Sequence, residues 1–329
     1  MSLPLDQGLQ IGIQTIHRQP DLQEGPWLPK IDEMASFIES VDKAGFDSVW
    51  VGDHLSMPLP FFDPFLLIAQ AAVVSRRMTF GTGVYLLPLR NPGPVAKQAA
   101  TLDHLTEGRF IFGVGIGGEF PKEYEVAGVP IKERGARLSE GIQAMRALWS
   151  GEPATFKGKH YQFEDVLMTP PSRQTGGPPI WGGGRSEPAL RRMGRLADGY
   201  LSYVVTPEMY SDALKKIDEA AQSANRQMTN FGTGHLLFAR VDNNYETALD
   251  IATESLSKRY AMDFRRAAER YAGLGTPEQV AERIMDFYNA GVRHISVDLV
   301  GPYERRMEQI ERFAGQVTPI LRNLVNQKG

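Results

Sequence analysis

The sequence predicts an α/β protein with a (β/α)8 TIM-barrel fold and insertions after strands 4 and 7. The clearest observation is residues 78–114, where an apolar run, an amphipathic run and a second apolar run follow one another. Two strands joined by so short a span leave room for one right-handed parallel crossover, so this span predicts a βαβ unit. Strand-like and helix-like runs alternate from the start of the chain, which is typical of a parallel sheet covered by helices.

The predicted strands are short apolar runs that end at glycine, proline or polar residues. In chain order they are Leu9–Thr15, Asp47–Gly52, Met78–Leu87, Phe110–Val114, Pro178–Trp181, Asp198–Tyr203, Phe231–Val241 and Arg293–Leu299. Most helices between them carry apolar residues three or four positions apart, the spacing of one helix face. They are predicted at Ile31–Val41, Phe65–Val74, Val95–Leu105, Arg134–Trp149, Ser186–Leu196, Thr276–Ala290 and Glu304–Leu324, with a further helix starting at Pro207.

Two connections are longer than one strand–helix unit needs. In residues 119–177 we predict a small hairpin built from Phe156–Phe163 and Val166–Thr169. Residues 243–271 form a second insertion that is mostly helical. No repeat, low-complexity segment or linker indicates a second domain, so residues 1–329 are predicted to form a single barrel domain.

The composition excludes several classes of protein. The 329 residues carry a net charge of −3 with a pI of about 6.1 and no basic run, which argues against nucleic-acid binding. The absence of cysteine excludes disulfides, thiolate catalysis and thiolate metal sites. No signal-peptide pattern is visible, and no apolar run approaches the roughly twenty residues of a membrane helix. We therefore expect a cytoplasmic protein that does not bind membranes.

No metal site or nucleophile motif is predicted. Three carboxylates, Glu119, Glu123 and Glu125, are close in sequence, but they have no histidine partner at the spacing of metal ligands. We predict that they lie on a solvated face. No G-x-S-x-G motif or comparable nucleophile pattern is present.

The candidate functional residues follow predicted strand ends. In a TIM barrel the segments after the carboxyl ends of the strands build the functional face, so these residues should meet at one mouth. They are His17, Asp53, His54, Gly83–Arg90, Gly115–Glu119, Gly182–Ser186, Tyr203 and Asp298. Asp103 and His104 lie inside a predicted helix, and we expect them to make solvent or helix–barrel contacts.

The run Gly182-Gly183-Gly184-Arg185-Ser186 lies between a predicted strand and a predicted helix. Its glycines let backbone N–H groups face an anion, the helix start adds partial positive charge, and Arg185 and Ser186 add donors. We predict that these five residues bind a phosphate group. The alternative is a plain tight turn in which Ser186 is the N-cap of the helix.

The glycines between Gly113 and Gly118 resemble a dinucleotide fingerprint, but their spacing differs and no periodic helix follows at once. We reject a Rossmann fold for this segment. We predict instead that glycines such as Gly115 keep side chains out of a cofactor cavity. A simple turn at the barrel rim is the alternative.

Asp53 and His54 directly follow a predicted strand. An imidazole suits proton transfer because its ordinary pKa lies near neutrality. His54 is therefore the candidate catalytic residue, and Asp53 beside it could orient or charge the ring. A structural histidine is the alternative.

The segment from Arg90 to Glu119 resembles the signature of the bacterial luciferase-like flavin oxidoreductases. It reads R-N-P-x-x-x-A-K-Q-x-A-T-L-D-x-L-T-x-G-R-x-x-x-G-V-G-x-G-G-E. Further matches are Glu133–Gly135, Leu148-Trp149, Pro179–Ser186 and Leu196–Tyr200, with a weaker one at Gly275–Gln279. The resemblance therefore covers nearly the whole chain.

The resemblance implies a flavin-type cofactor, either FMN or the deazaflavin coenzyme F-420. Relatives bind the cofactor phosphate at the place of Gly182–Ser186. They carry a non-proline cis peptide at the place of Gly83–Val84, against the cofactor ring. In deazaflavin-dependent relatives a histidine at the place of His54 lies beside the reactive ring, and Asp53, which adjoins it, is predicted to contact the cofactor. The resemblance thus implies an oxidoreductase or monooxygenase, and the segments at Gly113–Gly118 and Asp53–His54 favour the deazaflavin branch slightly.

The two cofactors imply different chemistry and different partners. Reduced FMN activates oxygen in monooxygenases and is supplied by a separate NAD(P)H:flavin reductase, whereas coenzyme F-420 transfers hydride and is reduced by a separate enzyme. In both cases we expect a small organic substrate and a homo-oligomer. A non-catalytic flavin-binding barrel is the alternative. An aldolase is disfavoured, because no predicted strand end offers the lysine that a Schiff base needs.

Overall fold

The computed structural model describes residues 8–14, 31–57 and 60–328. Its strands are β1 (Gln10–Gln14), β2 (Ser48–Val51), β3 (Thr79–Thr82), β4 (Phe110–Val114), β5 (Ala154–Lys157), β6 (Gln162–Val166), β7 (Ile180–Gly183), β8 (Gly199–Tyr203), β9 (Gly232–Val241), β10 (Gly273–Gly275) and β11 (His294–Leu299). Its α-helices are α1 (Ile31–Lys43), α2 (Pro64–Val74), α3 (Pro92–Leu105), α4 (Pro121–Val126), α5 (Arg134–Leu148), α6 (Glu187–Leu196), α7 (Pro207–Ser223), α8 (Tyr245–Tyr260), α9 (Arg265–Tyr271), α10 (Pro277–Asn289), α11 (Arg306–Arg312) and α12 (Thr318–Asn326). Three 3-10 turns and one π-helical turn, Phe313–Val317, complete the described elements.

Eight of the described strands form one closed parallel barrel. Around the barrel the order is β1, β2, β3, β4, β7, β8, β9 and β11, and β11 pairs with β1 to close the circle. Each of these pairings is parallel. This arrangement confirms the predicted TIM-barrel fold, and it brings the carboxyl ends of all eight strands to one rim.

Two connections carry extra elements. Helices α4 and α5 and the antiparallel pair β5–β6 lie between β4 and β7 in the sequence, and α8, α9 and β10 lie between β9 and α10. The short strand β10 pairs with the end of β9. Sequence analysis missed it because Gly-Leu-Gly is too short and too poor in side chains to show a strand pattern. That these elements are insertions into a standard barrel stays a prediction.

The predicted hairpin of Phe156–Phe163 and Val166–Thr169 was wrong in its bounds, because its turn lies inside the first segment and its second strand, β6, ends at Val166. Gly158 N–H donates to the Tyr161 carbonyl at 3.0 Å, and Phe156 pairs directly with Phe163. The Glu140 carboxylate of α5 accepts the amide of Lys159 at 3.0 Å and that of His160 at 2.8 Å. This contact with a distant helix fixes the turn, and the local sequence does not contain it.

The predicted closing helix, Glu304–Leu324, is interrupted. Helix α11 ends at Arg312, a π-helical turn follows, and α12 begins at Thr318. Pro319 explains the break, since proline has no N–H for the regular helical hydrogen bond and its ring crowds the preceding turn.

A packed aromatic layer fills the barrel below the strand ends. The Trp50 and Trp181 rings lie 5.5 Å apart, and the His294 ring meets both edge-on. Glycines make room for them: a Cβ on Gly81 would lie 2.4 Å from Trp50, and one on Gly232 would lie 2.0 Å from Trp181. Burial lowers the pKa of His294 to about 4. This layer fills the barrel below the mouth, so a ligand would have to bind above it, at the carboxyl ends of the strands.

Candidate active site

The inward-facing positions at the rim divide into two groups. Every second residue of a strand points into the barrel, because side chains alternate along a strand. On one side these positions lack side chains, and we call this group the glycine half: Gly52, Gly83, Gly115 and Gly183. The facing side carries large side chains from strand ends and from the end of α8 and the segment after it. We call this group the aromatic half: Tyr203, Phe238, Arg259, Tyr260, Phe264 and Asp298. The mouth therefore has one flat side and one filled side.

Val84 occupies the middle of the glycine half. A Cβ on Gly115 would lie 2.4 Å from Val84 Cγ2, and one on Gly183 would lie 3.1 Å from Val84 Cγ1. The two glycines therefore let the Val84 side chain reach between β4 and β7. The Gly83–Val84 peptide is cis, which confirms the prediction made from the resemblance. The result is an apolar platform that a planar ring can cover.

Gln14 supplies a polar group at the edge of this platform. The side chain is only 9% exposed, and its Oε1 lies 3.4 Å from the position of a Cβ on Gly83. Within the described part of the chain, Oε1 has no hydrogen-bond partner. A buried carbonyl oxygen without a donor is costly, so Gln14 is placed to accept a hydrogen bond from a ligand. Sequence analysis missed this residue, although its position as the last polar residue of an apolar strand was a usable signal.

His54 is held by a buried carboxylate. Its Nδ1 lies 3.2 and 3.3 Å from the two carboxylate oxygens of Glu123, whose side chain is fully buried. The same carboxylate accepts the Leu55 amide at 2.6 Å. A carboxylate partner makes Nδ1 the donor, which leaves the lone pair on Nε2. Because 21% of the His54 side chain is exposed, the ring is accessible to a bound molecule.

The prediction of a solvated face was wrong for Glu123 and correct for its neighbours. Helix α4 turns Glu123 inward, while Glu119 and Glu125 are exposed. Glu123 and His54 are 69 positions apart, so only the fold brings them together. The rings of Phe61 and Phe120 meet the imidazole edge-on at 4.7 and 5.6 Å, which encloses the pair in apolar surface.

The prediction that Asp53 orients His54 was also wrong, because its carboxylate points elsewhere. Asp53 is buried, accepts Arg90 Nη2 at 2.9 Å and the Leu86 amide at 2.8 Å, and forms a second, shorter contact with Arg90 Nη1. Burial raises the pKa of Asp53, and the Arg90 guanidinium opposes that rise. The pair ties the end of β2 to the loop after β3. A cofactor contact of Asp53 stays a prediction and is limited to its backbone.

The loop after β7 offers donors for an anion. Gly184 has a φ of +125°, Arg185 is exposed with Nη1 donating to the Val204 carbonyl at 3.0 Å, and Ser186 is the N-cap of α6. Within the described residues the Ser186 side chain makes no capping hydrogen bond, whereas Thr206 caps the next helix with its hydroxyl. The first amides of α6 and the Ser186 hydroxyl are therefore available to a phosphate group.

Gly182 has a different role from the rest of this loop. A Cβ on Gly182 would lie 1.6 Å from Met193 Sδ, on the outer surface of β7. A glycine is thus required at position 182 so that α6 can pack against the barrel. The predicted cofactor contact of Gly182 does not explain that requirement. Gly183, the next residue, faces the mouth and belongs to the glycine half.

The aromatic half is a closed network. Arg259 Nη1 donates to Asp298 Oδ2 at 2.6 Å, with the guanidinium 5.8 Å above the Phe238 ring. Tyr203 packs edge-on against Phe238 at 5.5 Å, and its hydroxyl pairs with that of Tyr260. The polar atoms of this wall are therefore used in contacts with one another.

The other candidate residues lie away from the mouth or outside the residues that the structure describes. His17 lies outside the described residues. Asp103 is buried and accepts bonds from Ser172 Oγ at 2.6 Å and the Gln174 amide at 2.7 Å, which agrees with the expected structural contact. His104 Nε2 lies 2.8 Å from the Pro171 carbonyl oxygen. Neither residue can take part in chemistry at the mouth.

Two negative findings apply to the described part of the chain. No group of three or more histidine, aspartate or glutamate side chains there could hold a metal ion. No described helix is both long and apolar enough to cross a membrane.

Comparisons with known proteins identify the family of this chain and support its fold. The profile of the luciferase-like monooxygenase family matches residues 9–294. A coenzyme F-420-dependent glucose-6-phosphate dehydrogenase of Nakamurella multipartita is 28% identical over 326 residues, with 90% of this chain and 94% of that protein covered. A monooxygenase from Streptomyces bottropensis superposes with a TM-score of 0.83 at 24% identity, covering 95% of this chain and 99% of that one. An F-420-dependent secondary alcohol dehydrogenase, in complex with an F-420–acetone adduct, superposes with a TM-score of 0.80 at 21% identity and the same coverage.

Proposed function

This chain belongs to the luciferase-like monooxygenase family, and we propose that it is an oxidoreductase that uses coenzyme F-420 to interconvert an alcohol and a carbonyl group on a small organic substrate. The observation that carries the proposal is the partly exposed imidazole of His54, paired with the buried carboxylate of Glu123. Interconversion of an alcohol and a carbonyl needs a group that takes up and returns a proton, and this pair is suited to that role.

The glycine half and the loop after β7 fit the two ends of such a cofactor. A planar ring can cover the Val84 platform because neither Gly115 nor Gly183 carries a side chain. Gln14 Oε1, buried and without a described donor, would accept a hydrogen bond from the ring. The amides at the start of α6, with Arg185 and Ser186, would hold the phosphate. When bound, coenzyme F-420 supplies hydride acceptance and donation at a ring carbon.

The His54–Glu123 pair then handles the proton. In the oxidation direction, His54 Nε2 takes the proton from the substrate hydroxyl. In the reduction direction, it returns that proton to the carbonyl oxygen. Glu123 fixes the tautomer and stabilises the imidazolium that forms. The rings of Phe61 and Phe120 limit access of water to this exchange.

A monooxygenase that uses reduced FMN is the second candidate, because the glycine half accommodates a flavin ring as well as a deazaflavin ring. Two considerations favour F-420. The relative aligned over 90% of this chain is named as an F-420-dependent dehydrogenase. A paired proton acceptor is also needed for hydride transfer from an alcohol, whereas oxygen activation does not require one.

Two assays test the proposal. In the first, reduced F-420 is mixed without oxygen with a panel of aldehydes, ketones and enones, and absorbance near 420 nm is followed. We expect the absorbance to rise with at least one compound, because reduced F-420 is oxidised when it reduces that compound. In the second, reduced FMN replaces F-420 and oxygen uptake is measured with the same panel. Substrate-dependent oxygen uptake with FMN and no reaction with F-420 would overturn the proposal in favour of a monooxygenase. Failure of both reactions, with cofactor bound, would favour a non-catalytic flavin-binding barrel.

A further inference from the structure

We propose that the aromatic half is the substrate-binding wall and that it takes an uncharged molecule with an aromatic or alicyclic body, such as a ketone or a secondary alcohol, and not a phosphorylated sugar. This inference rests on the proposed function and extends it to the class of substrate. It is carried by the charge balance of the wall and by the surface that the wall presents to the mouth.

The surface of the wall is aromatic. Tyr203 is the last residue of β8, and its side chain points into the barrel. Its ring packs against Phe238, yet 39% of the residue is exposed. Tyr260 and Phe264 stack at 5.0 Å behind it. The Tyr203 and Tyr260 hydroxyls pair with each other, so the wall offers ring faces and carbon atoms more than polar groups. A flat apolar body gains contact with such rings and loses few hydrogen bonds to water.

The cation in the wall is already neutralised. Arg259 forms two contacts with Asp298, at 2.6 and 3.4 Å, and the side chains of the two residues are only 10% and 7% exposed. Burial lowers the pKa of Arg259, but Asp298 and the two tyrosine hydroxyls outweigh that effect and raise it, so the arginine stays charged. A phosphate group would have to displace Asp298 from this pair and leave a buried carboxylate without a partner, which is unfavourable.

Two other arginines near the mouth already have a partner or a proposed role. Arg90 is held by Asp53 on the far side of the glycine half. Arg185 lies at the start of α6, where the cofactor phosphate would bind. Neither of these two arginines is therefore available for a second phosphate group. Several relatives are named as F-420-dependent glucose-6-phosphate dehydrogenases, so glucose 6-phosphate is the substrate against which the inference is tested.

The reaction with such a substrate balances without another reactant. In the oxidation of 1-phenylethanol to acetophenone, the carbinol C–H bond breaks and its hydride passes to oxidised F-420. The O–H proton passes to His54, and a C=O double bond forms. The alcohol is oxidised and F-420 is reduced by the same two electrons.

The first experiment compares substrates in the wild-type protein with F-420 bound. We expect turnover with 1-phenylethanol or cyclohexanol, and neither turnover nor competitive inhibition with glucose 6-phosphate. Tyr203→Ala should raise the KM for the alcohol by about tenfold, the scale of one lost ring contact, while the dissociation constant of F-420 stays unchanged. Saturable turnover of glucose 6-phosphate by the wild type would overturn the inference.

The second experiment removes the carboxylate that pairs with Arg259. Asp298→Asn removes the partner of Arg259, so glucose 6-phosphate should become a competitive inhibitor whose affinity is at least about tenfold higher than for wild type. The double variant Asp298→Asn/Arg259→Gln should lose that gain. If Asp298→Asn binds F-420 as the wild type does but gains no affinity for the phosphate, Arg259 does not face the substrate and the inference fails.

The F-420 dissociation constant separates the two levels of the proposal. If the wild type does not bind F-420, the proposed function fails. If it binds F-420 and uses glucose 6-phosphate, only the inference about substrate class fails.

Discussion

The glycine half and the aromatic half of the mouth use the same backbone pattern for opposite purposes. In both, alternate residues at the ends of parallel strands point into the barrel. In the glycine half these positions have no Cβ, so Val84 and a planar ligand can approach the backbone. In the aromatic half the same positions carry Tyr203 and Phe238, which fill the space. The barrel thus makes a ligand site by omitting side chains on one side and a wall by enlarging them on the other.

The two halves also differ in how they use paired charges. Beside the glycine half, the His54–Glu123 pair keeps 21% of the His54 side chain exposed, so the ring can contact a bound molecule. The Arg259–Asp298 pair of the aromatic half is almost completely enclosed, and Asp298 raises the pKa of Arg259. The first pair is therefore placed to act on a ligand, whereas the second holds the wall together.

The largest effect is expected from His54→Asn, which removes proton transfer from the glycine half. Turnover should fall by about 10²–10⁴-fold, the usual contribution of a general acid–base group, while F-420 affinity stays close to that of the wild type. Asparagine keeps part of the size and hydrogen bonding of histidine but cannot titrate. Turnover measured against pH should lose an inflection that the wild type shows.

Glu123→Gln is the matched variant, because it keeps the shape of the partner and removes its charge. We expect a smaller loss of turnover than for His54→Asn, with a shifted pH profile. If His54→Asn turns over substrate at the wild-type rate, or keeps the wild-type inflection, the proton belongs to another group and His54 has a structural role.

Arg185→Ala should have the next largest effect. Removing its guanidinium should weaken F-420 and FMN binding by about 1.5–3 kcal/mol, the scale of a hydrogen bond to a charged group. Riboflavin, which lacks the phosphate, should bind the wild type and the variant equally. If riboflavin binding falls by as much as FMN binding, Arg185 contacts some other part of the cofactor.

Gly183→Val tests the comparison directly, because it makes the glycine half resemble the aromatic half. Its Cβ would already lie 3.1 Å from Val84 Cγ1, so the added branches should displace Val84 or enter the ring site. We expect F-420 binding to weaken by about 1–3 kcal/mol, as for other overpacked positions. Tyr203→Ala, on the facing side, should leave F-420 affinity unchanged. An equal loss of F-420 affinity in both variants would mean that the cofactor does not bind specifically at the glycine half.

Most of the fold was predictable because its signals are local. Seven of the eight barrel strands were predicted to within two residues at each end, since each is a short apolar run, and β4 was found at Phe110–Val114. The predicted strand Met78–Leu87 was too long, because β3 ends at Thr82. The capping residues Thr206 and Thr276 mark helix starts that the structure contains. The rim positions of His54, Gly83, Gly115 and Arg185 follow from the rule that loops after strands meet at one face.

The contacts within the site were not predictable, because they join distant parts of the chain. Glu123 looked like one of three solvated glutamates, and nothing in a six-residue helix shows which side faces the barrel. Asp53 was assigned to its sequence neighbour His54, but successive residues of an extended chain point apart, and Arg90 was 37 positions away. The packing role of Gly182 depends on Met193 of the following helix.

The lowered pKa of His294 gives a test of the aromatic layer that lies below both halves. Burial lowers its pKa from 6.5 to about 4, so between those values the unfolded chain binds a proton that the folded protein does not. Stability should therefore fall with decreasing pH, by about 1.4 kcal/mol per pH unit for this residue. In His294→Asn the slope between about pH 6.5 and pH 4 should be smaller by that amount, measured by urea unfolding, with F-420 affinity unchanged. An unchanged slope would mean that His294 is protonated in the folded protein.

The most direct test of the central claim is the pair of dissociation constants of the purified protein for coenzyme F-420 and for FMN, measured by titration under identical conditions. If F-420 is the cofactor, as proposed, it should bind in the micromolar range or tighter, about −8 kcal/mol or better, and at least about tenfold more tightly than FMN. Binding of FMN that equals or exceeds that of F-420 would contradict the proposed hydride transfer, and binding of neither would contradict the cofactor site itself.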